Sequence, residues 1–276
     1  IDQPALANHK FQVQTLEARM PDGTLIALSD GNEPDRVDLK QALLEVAGQN
    51  VDLEEAFDTQ SVVRVYLAVP KLQLGRSNVA KIGDANRTRY IEYEVPTQDE
   101  SRGGGDQNVQ VKVVNARILL STDDVSGYEV LPIAQVRRAS EEQAVPRLDA
   151  DYIPPVLAIN AWPELGRDMV RAIYDVVGQK IEVLSQQVVN RGIGLDSRDP
   201  GDSERILMLT QLNAAYSSLA VLAFAQGVHP FTAYHELCRL VGQLSIFDPT
   251  RRATDIPPYD HDDLVTIFKH VRLRIE

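Results

Sequence analysis

The hydrophobic pattern of this chain changes period part-way along, from 2 to 3.6, and no other feature restricts the possible folds as much. Up to about residue 150 the apolar residues alternate with polar ones. Phe11, Val13 and Thr15 stand between polar neighbours, and Val62 to Val69 is a β-branched run long enough for a buried strand. Ile91, Tyr93 and Val95 alternate with Glu92 and Glu94, while Val109, Val111 and Val113 stand against Gln110 and Lys112. Tyr128 to Val136 adds another strand, and Pro21-Asp22-Gly23-Thr24 is turn chemistry leading into Leu25 to Leu28. About five to seven strands with turns between them predict an antiparallel β-sandwich or barrel. Leu39, Leu43 and Val46 predict a short helix over 38–47. Gly103-Gly104-Gly105 predicts a hairpin loop over 97–108.

From about Pro163 the period is helical. Leu165, Met169, Ile173, Val176 or Val177, Leu184 and Val188 trace one face, with Pro163 in the first turn. Ser203-Glu204 opens a second helix carrying Ile206, Leu209, Leu212, Tyr216, Leu219 and Ala223, and Gly227 suits its stop. Pro230 begins a third, with Phe231, Tyr234, Cys238, Val241 and Leu244 inward. Helical spacing of Leu264, Ile267, Phe268, Val271 and Ile275 gives a fourth. The expected architecture is multidomain, β then α: an antiparallel β-sandwich over 1–155, followed by an antiparallel four-helix bundle over 156–276. The division falls at Ile153-Pro154-Pro155, where the prolines interrupt both strand and helix.

Charge removes some function classes. A formal charge of -12 with a pI near 4.9 leaves no basic excess for phosphates or anionic lipid, so neither nucleic acid nor a membrane surface is expected as a partner. The longest uninterrupted apolar runs fall short of the roughly 20 residues of a bilayer span, so direct membrane insertion is not expected either. The single Cys238 sits among leucines as a small apolar residue, and no intrachain disulfide is possible.

Pro257-Pro258-Tyr259-Asp260-His261-Asp262-Asp263-Leu264 places one imidazole and three carboxylates within four positions, which at first suggests a metal site. A helix start accounts for the string better. The prolines stop what precedes them, Asp260 is placed to cap the free N–H groups of the following helix, and Asp263 falls at its third position. A hard cation would need further ligands, and no second cluster exists in the sequence.

This string closely resembles the central signature of the TssK family of type VI secretion baseplate proteins, also called ImpJ/VasE. Four further stretches agree in order: Pro21-Asp22-Gly23-Thr24; Ser126-Gly127-Tyr128 with Leu131-Pro132-Ile133-Ala134; Asp151-Tyr152-Ile153-Pro154-Pro155; and His229-Pro230 with Tyr234, Glu236, Leu237, Arg239, Leu240 and Gly242. The resemblance implies a β-rich shell and a helical neck within a homotrimer that connects the baseplate wedge proteins TssF and TssG to the membrane complex. It implies a cytoplasmic site at the inner face of the inner membrane, with the membrane complex gripped only by a C-terminal head. The last helix still runs in register at Glu276, and the chain opens at Ile1. The reading is therefore a fragment without the family's extreme N-terminus and its head.

Reaction chemistry is not evident. No Gly-x-Ser-x-Gly elbow is present, and His229 and His235 are not spaced as a ligand pair. The acid pairs Asp123-Asp124, Asp149 with Asp151, and Asp262-Asp263 border turns or helix starts, and 40 acidic residues make such pairs common. The sequence reading therefore expects a structural protein with no catalytic residue, cofactor or metal. The alternative is a phage-like receptor-binding or adhesin module, a β-sandwich on a helical stalk; an aromatic content of only 6% speaks against it.

Overall fold

The computed structural model describes residues 1, 3–13, 15–28, 51–81, 88–98, 101, 103–105, 107–138, 145–199, 201–253 and 255–276. The chain divides into two compact units, Ile1–Asp149 and Ala150–Glu276, with sheets in the first and long helices in the second. The helix expected over 38–47 lies outside the described residues.

The first unit opens with helix α1 (Gln3–Ala7) and strands β1 (Lys10–Phe11), β2 (Leu16–Arg19) and β3 (Leu25–Leu28). Strand β4 (Val51–Asp52), helix α2 (Glu54–Thr59), β5 (Val62–Pro70) and β6 (Val79–Lys81) follow. Then come β7 (Tyr90–Thr97), β8 (Gln107–Val114), β9 (Arg117–Leu120), β10 (Tyr128–Arg137) and β11 (Arg147–Leu148). The main sheet has the order β11-β10-β5-β9, and β5 lies within it, burying Val63, Val65, Leu67, Ala68 and Val69. Val63, Val65, Leu67 and Val69 form the buried face, and the other face, with Arg64 exposed and Tyr66 half-buried, becomes buried only at Ala68.

Pro132 sits mid-way along β10 without breaking it. β11 pairs only with Val136 and Arg137, so the flank of β10 at Pro132 has no strand beside it among the described residues. The register against β5 slips between Pro132 and Ala134, consistent with a bulge there.

Two expectations need correction. The sheets are not all antiparallel, because β6 runs parallel to β7 in the order β6-β7-β8. Strand direction leaves no trace in an alternation of period 2. Nor do the valines of 109–113 make a buried strand of β8: Val113 is buried, Val111 half-buried and Val109 exposed.

The core of the first unit joins Leu6, Phe11, Met20, Ile26, Leu53 and Phe57 to the inward residues of β5 and β10. The Pro21–Thr24 turn is fastened from below. The buried Arg89 guanidinium donates to Asp22, to the Thr24 hydroxyl and, at 3.0 Å, to the Pro70 carbonyl. Burial alone would raise the Asp22 carboxyl, but the Thr24 and Arg89 hydrogen bonds outweigh it and hold it below its ordinary value.

The second unit begins with Ile153 buried, a short 3-10 turn (Ile159–Ala161) and helix α3 (Pro163–Leu165). A π-helical segment, Gly166–Arg171, leads into α4 (Ala172–Asn190). The expected single α-helix thus carries a wider turn. A Cβ on Gly166 would lie 2.8 Å from the Ile159 carbonyl oxygen, so only glycine lets the 3-10 turn approach this closely.

Helices α5 (Asp202–Phe224), α6 (Pro230–Leu244) and α7 (Leu264–Ile275) complete the unit. α5 starts one residue before the expected Ser203. Asp202 is buried, and its carboxylate accepts from Ser197 Oγ at 2.7 Å and from Arg205 at 3.2 Å. On length and average composition, though not by an uninterrupted apolar run, α5 is apolar enough to cross a bilayer. Here its Leu212, Ala215, Leu219 and Leu222 are buried in the helical core. The α6 face is rotated from expectation: Ala233, Tyr234, Leu237, Leu240 and Val241 are buried, whereas Phe231 is 52% exposed.

Candidate functional site

The signature string forms a loop laid against the start of α6. Tyr234 Oη, on α6, donates to the Pro257 carbonyl at 2.5 Å. Tyr259 packs edge-on to Phe231 with centroids 5.2 Å apart, and Tyr234 packs on Phe268 of α7 at 5.6 Å. The His229 and His261 rings stack with centroids 5.3 Å apart and planes 11° from parallel. Tyr259 Oη and His261 Nδ1 share a hydrogen bond of 2.7 Å. Burial pushes the Tyr259 hydroxyl up to about 12 and raises that of Tyr234 further, so both stay protonated and neutral.

The capping residue is not the expected one. Asp263 is the N-cap of α7, its Oδ1 accepting the Thr266 N–H at 3.3 Å, and Leu264 is the first helical residue. Asp260 instead accepts the Asp262 N–H at 2.9 Å, an Asx turn within the loop. The loop continues three residues further than expected because that local hydrogen bond competes with helix initiation. Asp260, Asp262 and Asp263 are exposed, and the described residues contain no group of three or more metal-ligating side chains.

The remaining signature positions are spread over both units. Gly127 has φ +85, a conformation glycine adopts without strain, and its carbonyl accepts the Lys71 N–H at 2.8 Å where β10 begins at Tyr128. Pro154 is buried and Pro155 half-buried beside Ile153, and the Pro154 carbonyl accepts the Val156 N–H at 2.8 Å. These are turn and packing roles.

The acid pairs are engaged structurally. Asp149 is buried and accepts from Gln135 Nε2 at 2.7 Å and from Arg137 at 2.9 Å, fastening β11 to β10. Asp123 and Asp124 accept the Leu120 and Ser126 N–H groups in the turn before β10. Asp151 pairs with Lys269 of α7. Cys238 is half-buried, and burial pushes its thiol up, away from the reactive thiolate. A cavity of about 340 Å³ in the helical unit is lined by Val177, Leu212 and Val241 together with Arg252, Asp248 and Ser245, whose hydroxyl donates to the Gly242 carbonyl at 2.7 Å rather than to a base.

Sequence reasoning passed over two features. His229 is the N-cap of α6, its Nδ1 accepting the Phe231 N–H at 3.1 Å; histidine is not among the residues that propensity marks as caps. The outer faces of α4 and α5 expose Val176, Val183, Val189, Leu207, Val221 and Phe224, which helical periodicity alone assigns to no partner.

The family model described as "Bacterial Type VI secretion, VC_A0110, EvfL, ImpJ, VasE" matches residues 1–276. The type VI secretion system baseplate component TssK1 of Pseudomonas aeruginosa is 27% identical over 281 residues, covering 100% of this chain and 58% of that relative. The chain therefore spans little more than half the relative's length. A crystal structure of TssK superposes with a TM-score of 0.81 at 21% identity, covering 99% of this chain and 57% of that one. A chain of the TssK-TssF-TssG baseplate subcomplex, from cryo-electron microscopy, gives 0.75 at 22% identity and covers 99% and 82%. At these identities the structural likeness speaks to the fold.

Proposed function

The chain belongs to the ImpJ/VasE family of bacterial type VI secretion proteins, and on that premise we propose that it is a structural component of the type VI secretion baseplate. The family match over its whole length carries this reading. In it, the protein is a trimeric connector between the baseplate wedge and the membrane complex. TssF and TssG are its wedge partners, and it works on the cytoplasmic side of the inner membrane. Their presence with TssK in the solved baseplate subcomplex supports the choice of partners. No reaction, cofactor or metal enters the account.

We read residues 1–155 as the shell, a β-sandwich in outline. Support comes from the single core that Phe11, Leu53, Val65 and Ala134 share across several sheets. Residues 156–276 are the neck, a four-helix bundle in outline. Ile173, Leu219, Leu237 and Phe268, one from each of the four long helices, meet in one core in support of that reading. The neck is the trimerising part. On α5 Val221 is 63% exposed and Phe224 53%, and with the exposed Val176 and Val183 of α4 they suit burial against identical neighbours.

Light scattering on the purified chain tests the trimer. The expected mass is three times the 30.6 kDa of the chain, reduced by a paired Val221→Asp and Phe224→Asp substitution. A monomer at all concentrations up to the solubility limit would contradict it.

A further inference from the structure

The start of α6 is capped by an imidazole, and that imidazole lies against a second one. His229 Nδ1 accepts the Phe231 N–H at 3.1 Å, so the hydrogen of the neutral ring sits on Nε2. His261, from the signature loop, stacks on it with planes 11° apart and is held from its other side by Tyr259 Oη at 2.7 Å. The pair joins the loop to the first turn of α6. We propose that the His229–His261 stack is an acid-released latch, fastening residues 256–263 to the start of α6 while both rings are neutral and letting go when they take up a proton.

The usual capping side chains carry no group that takes up a proton near neutrality, whereas an imidazole is the side chain that can. A proton on His229 Nδ1 replaces the acceptor with a donor aimed at the Phe231 N–H. It also places positive charge at a helix N-terminus, where the dipole is already positive. Protonating both rings sets two like charges face to face.

Other groups bear on the pair. Tyr259, Asp260 and Asp262 belong to the loop, and Phe231 and Tyr234 of α6 pack against Tyr259. Asp260 is engaged by the Asp262 N–H, and both carboxylates are exposed. Burial, then His229, lower the His261 titration below the ordinary 6.5, against the opposing pull of Asp262 and Asp260. A histidine lowered in the folded state contributes stability that is complete above the unfolded value of 6.5. That contribution is lost as the pH falls below 6.5, because the unfolded chain then binds more protons.

Amide exchange of Phe231 and titration of the imidazoles, both followed by NMR on the full chain, test the latch. The Phe231 protection factor, corrected for intrinsic exchange, should fall as the pH drops below 6.5, by at most about tenfold per pH unit for each proton taken up. The loss should coincide with titration of the His229 ring, which keeps the test decisive if a variant fails to fold. In His229→Asn the cap does not titrate and protection should stay level. Unchanged protection from about pH 8 to about pH 5, or equal acid sensitivity in His229→Asn, would overturn the proposal.

Discussion

The Tyr234 hydroxyl donates to the Pro257 carbonyl at 2.5 Å, so a helix side chain holds the first residue of the signature string in place. Pro257 is half-buried, and proline offers no N–H of its own, so its carbonyl is its only backbone hydrogen-bonding group. Tyr234→Phe keeps the ring packing against Tyr259 and Phe268 but leaves that carbonyl unpaired. A loss of about 1–2 kcal/mol is expected in urea unfolding, with faster amide exchange over 256–263. Exchange equal to the parent would mean that the aromatic contacts alone hold the loop.

The cap of α7 gives a contrast between neighbouring aspartates. Asp263→Ala removes the acceptor for the Thr266 N–H and should cost about 1 kcal/mol. Asp260→Ala removes only an Asx turn in an exposed loop and should cost about half as much or less. Thermal melts of the two variants decide the order; a reversed order would return the helix start to Asp260.

How much of this could be read beforehand differs by element. The inward face of α7 was legible: Leu264, Ile267, Phe268 and Val271 follow the helical period and are all buried. The face of α6 was misread, because Phe231, Cys238 and Leu244 satisfy the same period as Leu237 and Leu240, and only the neighbouring helices decide which stripe turns inward. Strands β1, β4 and β11 have two residues each, too few to show any period. Of the site, the loop residues themselves were found. Their attachment to His229 and Tyr234 was not, because contacts between residues far apart in sequence leave no local pattern.

Gly166 provides a steric test. A Cβ there would meet the Ile159 carbonyl oxygen at 2.8 Å, and that atom is backbone within a packed turn. Gly166→Ala should destabilise by about 1–3 kcal/mol, although alanine is the better helix former. A stabilised variant would show that the 3-10 turn over 159–161 shifts aside freely.

Tyr259 should ionise late. Burial, reinforced by Asp260, pushes its hydroxyl from 10.0 up to about 12. A folded-state value above the unfolded one means that its contribution to stability is complete below pH 10 and is lost as the pH rises towards about 12. The phenolate absorbance of the parent minus that of Tyr259→Phe isolates this group among the nine tyrosines. A difference titration centred at the ordinary value would contradict the buried setting.

Co-expression of this chain with TssF and TssG from the same genome, followed by affinity purification through the chain, tests the baseplate role most directly. The account expects both proteins to remain bound through size exclusion as one complex. Their absence from a chain that is folded by circular dichroism would contradict the assignment of this part of the protein to the wedge.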